Sequence, residues 1–453
     1  MQKFKLMPIT VAVAASLASL SSFAAETDLA ALEQRIQELE SQVGDIKYVD
    51  DQQQAVLTSE TAIPEGIVFS GYARYGAHYK SGDERYVEIG STGRSIGRLG
   101  NEANGGEVQL AKLFQADSGA IWDIVFMADH WEADSWADDG GLSMKKMYAG
   151  VTNVFESQPD LYMWAGRDFH QRPQQGLNDY FWMSHDGQGA GFNNLDFGGA
   201  KLDMGFVGQV KGGLVNDNGR YAVTAKLHSI NAGIGNLDLY ANYGFASSEA
   251  DTSTTTEYVY DPVTDSMVPV VTPGEKVSDE TAYLVGATLG LGESNRLVVK
   301  YGDGADDSVF ELAGDKTVLY ASVEGNYAVS EQFIIDYLVS YKDISGDDYK
   351  DASTGRNLDK SEYAGIVRPQ YQWDDVHSTW LEAGYGMVDY DDGGEENAWK
   401  VTLSQNVSLG GMPGSRPMLR FYTTVGDVET KGAPKDNGNV DTLSFGAMFE
   451  AWW

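Results

Sequence analysis

From Ile67 to Trp453 the sequence keeps a rhythm that few folds can accommodate. Eighteen strand-like runs follow one another, near 67–79, 105–116, 119–130, 144–154, 161–169, 188–196, 200–210, 220–229 and 235–247, then 281–290, 295–303, 315–327, 332–343, 361–373, 376–390, 396–408, 416–428 and 440–453. Brief connections such as QADSG, ESQPD, FGG, GES, AVSE and DDV alternate with long polar ones at 80–104, 131–143, 170–187, 248–280, 304–314 and 344–360. Short turns on one side and long loops on the other form the pattern of an up-and-down transmembrane barrel. A closed barrel is also the only sheet that leaves no unpaired backbone in lipid. The expectation is an all-β, 18-stranded antiparallel transmembrane β-barrel over residues 67–453. A water-soluble all-β protein with exposed loops is the alternative that the rhythm leaves open.

Side-chain parity says which face is which. In the terminal stretch VDTLSFGAMFEAWW, Leu443, Phe445, Ala447, Phe449, Ala451 and Trp453 share one parity, while Thr442, Ser444, Gly446, Met448, Glu450 and Trp452 share the other. Alternate strand residues point to opposite faces, so Trp453 is expected to meet lipid in an interfacial aromatic girdle. Trp452 then points into the lumen. The first strand, IVFSGYARYGAHYK, places Tyr72 and Arg74 inward together in the same way. An aromatic ring beside a guanidinium suits a sugar, whose ring faces are apolar and whose hydroxyls seek charged partners. Tyrosine and arginine are also ordinary residues in barrel walls, so one such pair decides little.

The N-terminus reads differently. Lys3 and Lys5 precede the apolar stretch TVAVAASLASL and a small-x-small site at Ser22-Phe23-Ala24, the pattern of a secretory signal over 1–24. Its loss removes two lysines and no acids, moving the net charge from -35 to -37. Such a chain repels polyanions, which argues against nucleic acid as a partner. Next come Leu29, Leu32, Ile36, Leu39, Val43 and Ile46, an a/d seam that predicts a short coiled-coil helix within 25–48. One amphipathic helix docked on its own protein would explain the same spacing. A polar linker over 49–66 is expected to join this segment to the barrel. With no cysteine anywhere, disulfides, zinc-thiolate sites and thiol catalysis are excluded.

Several stretches resemble the LamB maltoporin family of sugar-specific outer-membrane porins. They are GYAR at 71–74, RLGNE at 98–102, HWEAD at 130–134, WAGRDFHQR at 164–172, NDYFW at 178–182, GQGAGFNNLDFG at 187–198, SRP at 415–417 and the terminal aromatic pair. The N-terminal heptads are similar to the coiled-coil extension of sucrose-porin-type members. The resemblance implies a homotrimer in the outer membrane, against lipid and lipopolysaccharide, with an inward third loop over 170–187. It implies oligosaccharide passage along an aromatic slide. Tyr72, Phe181 and Trp452 match slide aromatics, and Trp131 matches a tryptophan that reaches over from the neighbouring subunit. Arg74, Arg98, Glu107, Arg172 and Asp179 match the flanking polar track, with Lys145 in place of an arginine. Other slide positions fall at Gly105, Gly414 and Leu297, and two polar ones at Gln174 and Gly176, so a shorter or different saccharide is as compatible as maltodextrin. A general, weakly selective diffusion porin is the rival. Catalysis finds little support: the six histidines show no metal-ligand spacing and no GxSxG elbow occurs. No cofactor is expected.

Overall fold

The computed structural model describes residues 56–453, apart from 133–141, 212–215, 247–253, 262–265, 274–279, 293, 348, 352–354, 411–415 and 435–437. The expected signal segment and N-terminal helix lie outside the described residues. In chain order the strands are β1 (Val68–Lys80), β2 (Asn104–Gln115), β3 (Ile121–Glu132), β4 (Ser143–Thr152), β5 (Tyr162–Asp168), β6 (Gln174–Gln175), β7 (Tyr180–Phe181), β8 (Gly187–Asp196), β9 (Lys201–Lys211), β10 (Asn216–Asn231) and β11 (Asn236–Ala246). They continue with β12 (Thr254–Asp261), β13 (Ser266–Pro273), β14 (Thr281–Leu291), β15 (Asn295–Asp303), β16 (Thr317–Ser330), β17 (Phe333–Ser345), β18 (Lys360–Gln372), β19 (His377–Tyr390), β20 (Glu395–Ser408), β21 (Met418–Lys431) and β22 (Val440–Trp452). Among the described residues none is helical.

Eighteen of these strands form one antiparallel sheet. It closes where Tyr72–Lys80 of β1 pairs with Ser444–Trp452 of β22. Closure leaves no free sheet edge. The other four strands, β6–β7 and β12–β13, are hairpins inside two of the long connections. The sequence rhythm carried no sign of either.

Polarity is inverted relative to a protein dissolved in water. On β19 to β21, Leu381, Tyr385, Trp399, Leu403, Leu419 and Phe421 are exposed, whereas Glu382, Lys400 and Arg420 on the opposite parity are 0–1% exposed. Charged groups are almost never buried unless paired, and these are. Glu382 accepts from Arg368 Nε at 2.9 Å and pairs with Lys400 at 3.2 Å, while Arg420 meets Glu102 at 2.6 Å. An apolar outer surface around a charged interior is stable in lipid, which disposes of the soluble alternative. Trp453 packs outside on Phe69, ring centroids 5.7 Å apart.

Three of the long polar connections turn into the barrel, of which only the third loop, 170–187, was expected to do so. In residues 81–103, Val87, Ile89, Ile96 and Leu99 are buried against β19 to β21, and Lys400 donates to the Leu99 carbonyl at 2.6 Å. In residues 169–186, Leu177 reaches the far wall at Leu338 and Ile366. Residues 304–316 bury Val309, Phe310 and Leu312, and the backbone N–H of Ser184 donates to the Asp307 carbonyl at 2.8 Å. The stretch read as a polar linker also contributes packing. Leu57 is buried with Leu113, Ile121 and Tyr162 at the short-turn end, and Ser59 donates twice to Asp160, at 3.0 and 2.7 Å.

Candidate functional site

A cavity of about 1190 Å³ runs through the lumen beside the second of these connections. All ten residues singled out in the sequence line it: Tyr72, Arg74, Arg98, Glu107, Trp131, Lys145, Arg172, Asp179, Phe181 and Trp452. Strand parity brings Tyr72 and Arg74 of β1, Glu107 of β2 and Trp452 of β22 to the inner face. The two inward connections supply Arg98, Arg172, Asp179 and Phe181. These connections bond to each other, Arg94 N–H to the Asn178 carbonyl at 2.6 Å and Arg98 N–H to the Leu177 carbonyl at 3.0 Å.

The polar groups form one braced network. Asp179 holds Arg74 at 2.6 Å and Arg98 at 3.7 Å, and accepts from Gln174 at 2.8 Å. Glu450 accepts from Tyr72 Oη at 2.8 Å, Arg98 at 3.0 Å, Arg416 at 2.5 Å and Arg420 at 3.2 Å. Arg172 pairs with Asp186 at 3.3 Å while its guanidinium lies between the Phe169 and Phe181 rings, 4.2 and 4.1 Å from their centroids. Arg416 covers one face of Trp452 at 4.4 Å. Glu107 is the exception: among the described residues its carboxylate makes no hydrogen bond or ion pair with the protein.

Acids and bases balance along the wall. The lining carries Glu107, Asp129, Asp168, Asp179, Asp186, Glu324, Asp336 and Glu450 against Arg74, Arg98, Lys145, Arg167, Arg172, Arg296, Arg368 and Arg416, eight of each among the described residues. The chain's large negative charge therefore lies elsewhere.

Two readings are corrected. Trp131 stands in β3, opposite Gly105 of β2, and stacks on Tyr72 of its own chain with centroids 6.0 Å apart. The sequence placed it in the 131–143 connection; it stands instead on the strand and lines the cavity of this chain. Leu297 is no track position, because it shares the outward parity of the exposed Val299 and Tyr301; Arg296 takes the inward place. Gln174 and Gly176 do line the cavity. Sequence reading gave no role to Glu450, Arg416 or Trp380, although Arg416 lies in the SRP stretch. Glu450 shares the parity of Trp452 and could have been found from it, whereas Arg416 lies before its strand begins.

A closed barrel with an apolar exterior, a charged lumen and connections folded into that lumen is an outer-membrane porin. The LamB porin family model matches residues 67–453, and the chain belongs to that family, in the bacterial outer membrane. The maltoporin of Vibrio cholerae serotype O1 is 28% identical over 428 residues, 85% of this chain and 94% of that protein. Among solved structures, Pseudomonas aeruginosa OccD3 (OpdP) aligns with a TM-score of 0.46 at 12% identity, over 88% of this chain and 94% of that one. Pseudomonas aeruginosa OpdQ aligns with a TM-score of 0.46 at 12% identity, over 86% and 99%.

Proposed function

We propose that this porin gives facilitated diffusion of oligosaccharides, maltose or maltodextrin or another di- or trisaccharide, along a track of rings flanked by hydrogen-bonding charges. The observation that carries this reading is the convergence of Tyr72, Trp131, Phe181 and Trp452 on one cavity whose charges balance. Rings offer faces to the apolar sides of a pyranose. Fixed ion pairs offer N–H groups and lone pairs to hydroxyls without a net field that would demand an ionic cargo. Arg74, Arg98, Arg172, Asp179 and Glu107 are the groups we assign to hydroxyls, with Lys145 at their margin. Working as a homotrimer, with a mature chain beginning near Ala25 and residues 25–48 as a periplasmic coiled coil, belongs to the same reading.

A general diffusion porin is the second reading, favoured by Gly105, which brings no ring to the wall, and by Gly176, which brings no polar side chain to it. Titrating ion current through the reconstituted pore with di- and trisaccharides separates the two. Stacking is worth on the order of 0.5–1.5 kcal/mol per ring beyond buried area. Tyr72→Ala or Trp452→Ala should therefore weaken block roughly three- to tenfold. A wild-type pore that no sugar blocks at millimolar concentration makes this a general porin. Block that neither variant shifts leaves a sugar porin whose selectivity lies on other residues.

A further inference from the structure

Near the short-turn end, the inner wall of β2 to β5 is unlike a wetted channel lining. Its inward side chains there are Leu113, Ile121 and Tyr162, with Ala111, Val125 and Tyr148 further up, and all are buried. On the lipid side of the same corner, Phe114 and Trp122 are exposed. A sheet that is apolar on both faces must be covered on both. Lipid covers one. Val56, Leu57 and Ile63, from the stretch just before β1, join the cluster on the other. In the same wall Asp123 is 0% exposed and accepts from Tyr162 Oη at 3.0 Å, so its carboxylate is served by a phenol and not by channel solvent.

The covering stretch has a defined course. The Thr61 N–H donates to the Thr58 carbonyl at 3.1 Å and the Thr58 N–H to Thr61 Oγ1 at 2.9 Å, closing a turn. Ser59 within that turn is held by Asp160 of the β4–β5 connection. From this corner the chain returns to Val68, where β1 starts. The cavity keeps clear of the covered side. On β2 to β5 its lining stops at Glu107, Asp129, Lys145 and Arg167, in the long-connection half. It reaches the short-turn end on other strands, at Gly290, Gly292 and Ser294 around the β14–β15 turn and at Trp452.

We propose that residues 56–63 are a strap that seals the β2–β5 side of the periplasmic mouth, so that the pore empties beside the β14–β15 turn and Trp452. The strap turns a wide barrel mouth into an eccentric outlet. It is continuous with β1 and acts on the wall of its own chain. The inference concerns that wall alone and holds whatever the pore carries.

The test reads solvent access at single cysteines, which is clean because the chain has none of its own. In the otherwise native porin, Ile121→Cys should react slowly with a charged, water-soluble thiosulfonate, and Ser294→Cys at the outlet quickly. Leu57→Asp, which unseats the strap, should speed reaction at Ile121→Cys roughly tenfold or more, the scale set by exposing one buried leucine. Reaction at Ser294→Cys should stay as it was, and open-pore conductance should rise. The heat-induced gel shift guards against a barrel that has not folded, and Leu57→Ala carries the same comparison should the charged variant fail that check. A Ser59→Cys/Asp160→Cys pair gives the opposite manipulation. Bridged by a short bifunctional thiosulfonate, it should run as a monomer on a denaturing gel and conduct as the native pore does. Equal reaction at Ile121→Cys and Ser294→Cys in the native background would overturn the seal. So would an unseated strap that alters neither reactivity nor conductance. Bridging between chains at positions 59 and 160 would overturn the strap's course.

Discussion

Glu450 and Glu107 are two carboxylates in one wall with opposite circumstances, and they should respond oppositely to mutation. Glu450 takes bonds from Tyr72, Arg98, Arg416 and Arg420. Removing it leaves three guanidiniums without their shared anion, and stranding buried charge costs about 3–5 kcal/mol. Glu450→Ala should lower the temperature of the folded-to-unfolded gel shift markedly. It should also move the reversal potential toward anions, since the lining loses one of its eight acids. An unchanged shift temperature would mean that the network does not brace the barrel. Among the described residues Glu107 makes no hydrogen bond or close ion pair, so its loss breaks no bonded network. Glu107→Gln should leave the gel shift where it is and weaken sugar block about tenfold, the scale of a hydrogen bond to a charged group. Loss of stability without loss of block would reverse that assignment.

At the scale of elements, the connection between β5 and β8 spans the lumen, and Asp179 pins its inner end. This residue lies outside the spanning strands. Burial pushes its pKa up, but the Arg74 and Arg98 guanidiniums outweigh burial and hold the carboxyl below its ordinary 3.8. A depressed native pKa means that the pinning is complete above 3.8 and is lost only as pH falls through the lower native value. Single-channel noise should stay flat from pH 7 to about 4 and rise below, while Asp179→Asn should be noisy at pH 7 already. A wild-type rise between pH 5 and 6 would assign the gating to another group. The strands that carry this arrangement were legible because alternation reports directly on which side chains face lipid: Tyr72, Arg74 and Trp452 all follow from it. The inward course of residues 81–103 was not. Ile96 and Leu99 sit among glycines and charges in a stretch without periodicity, and their partners on β19 to β21 are hundreds of residues away. Trp131 was misread for a related reason. The polar HWEAD stretch looks like loop, although β3 runs on to Glu132. Its apposition to Gly105 depends on strand register, which a glycine and a tryptophan do not announce.

For the whole molecule, net charge and pore charge part company. The full chain carries -35, yet the lining is balanced, and acids such as Asp389, Asp391 and Glu429 are exposed at the long-connection rim. Fixed charge at a mouth enriches counter-ions over about one Debye length. A modest cation preference is therefore expected in dilute salt, fading near 1 M, where that length is about 3 Å. Reversal potentials across salt gradients measure it. Anion preference, or cation preference undiminished at 1 M, would contradict this charge layout. The seam between β1 and β22 has a last consequence, for biogenesis. Tyr72 and Trp452 are register partners across it, and the Tyr72 hydroxyl reaches Glu450 on the far side. These two halves of the pore wall are made at opposite ends of translation. Until the last strand arrives, the nascent sheet keeps an open edge and has no binding surface to offer. On the saccharide reading proposed above, sugar block would separate a sealed barrel from an inserted but unfinished one.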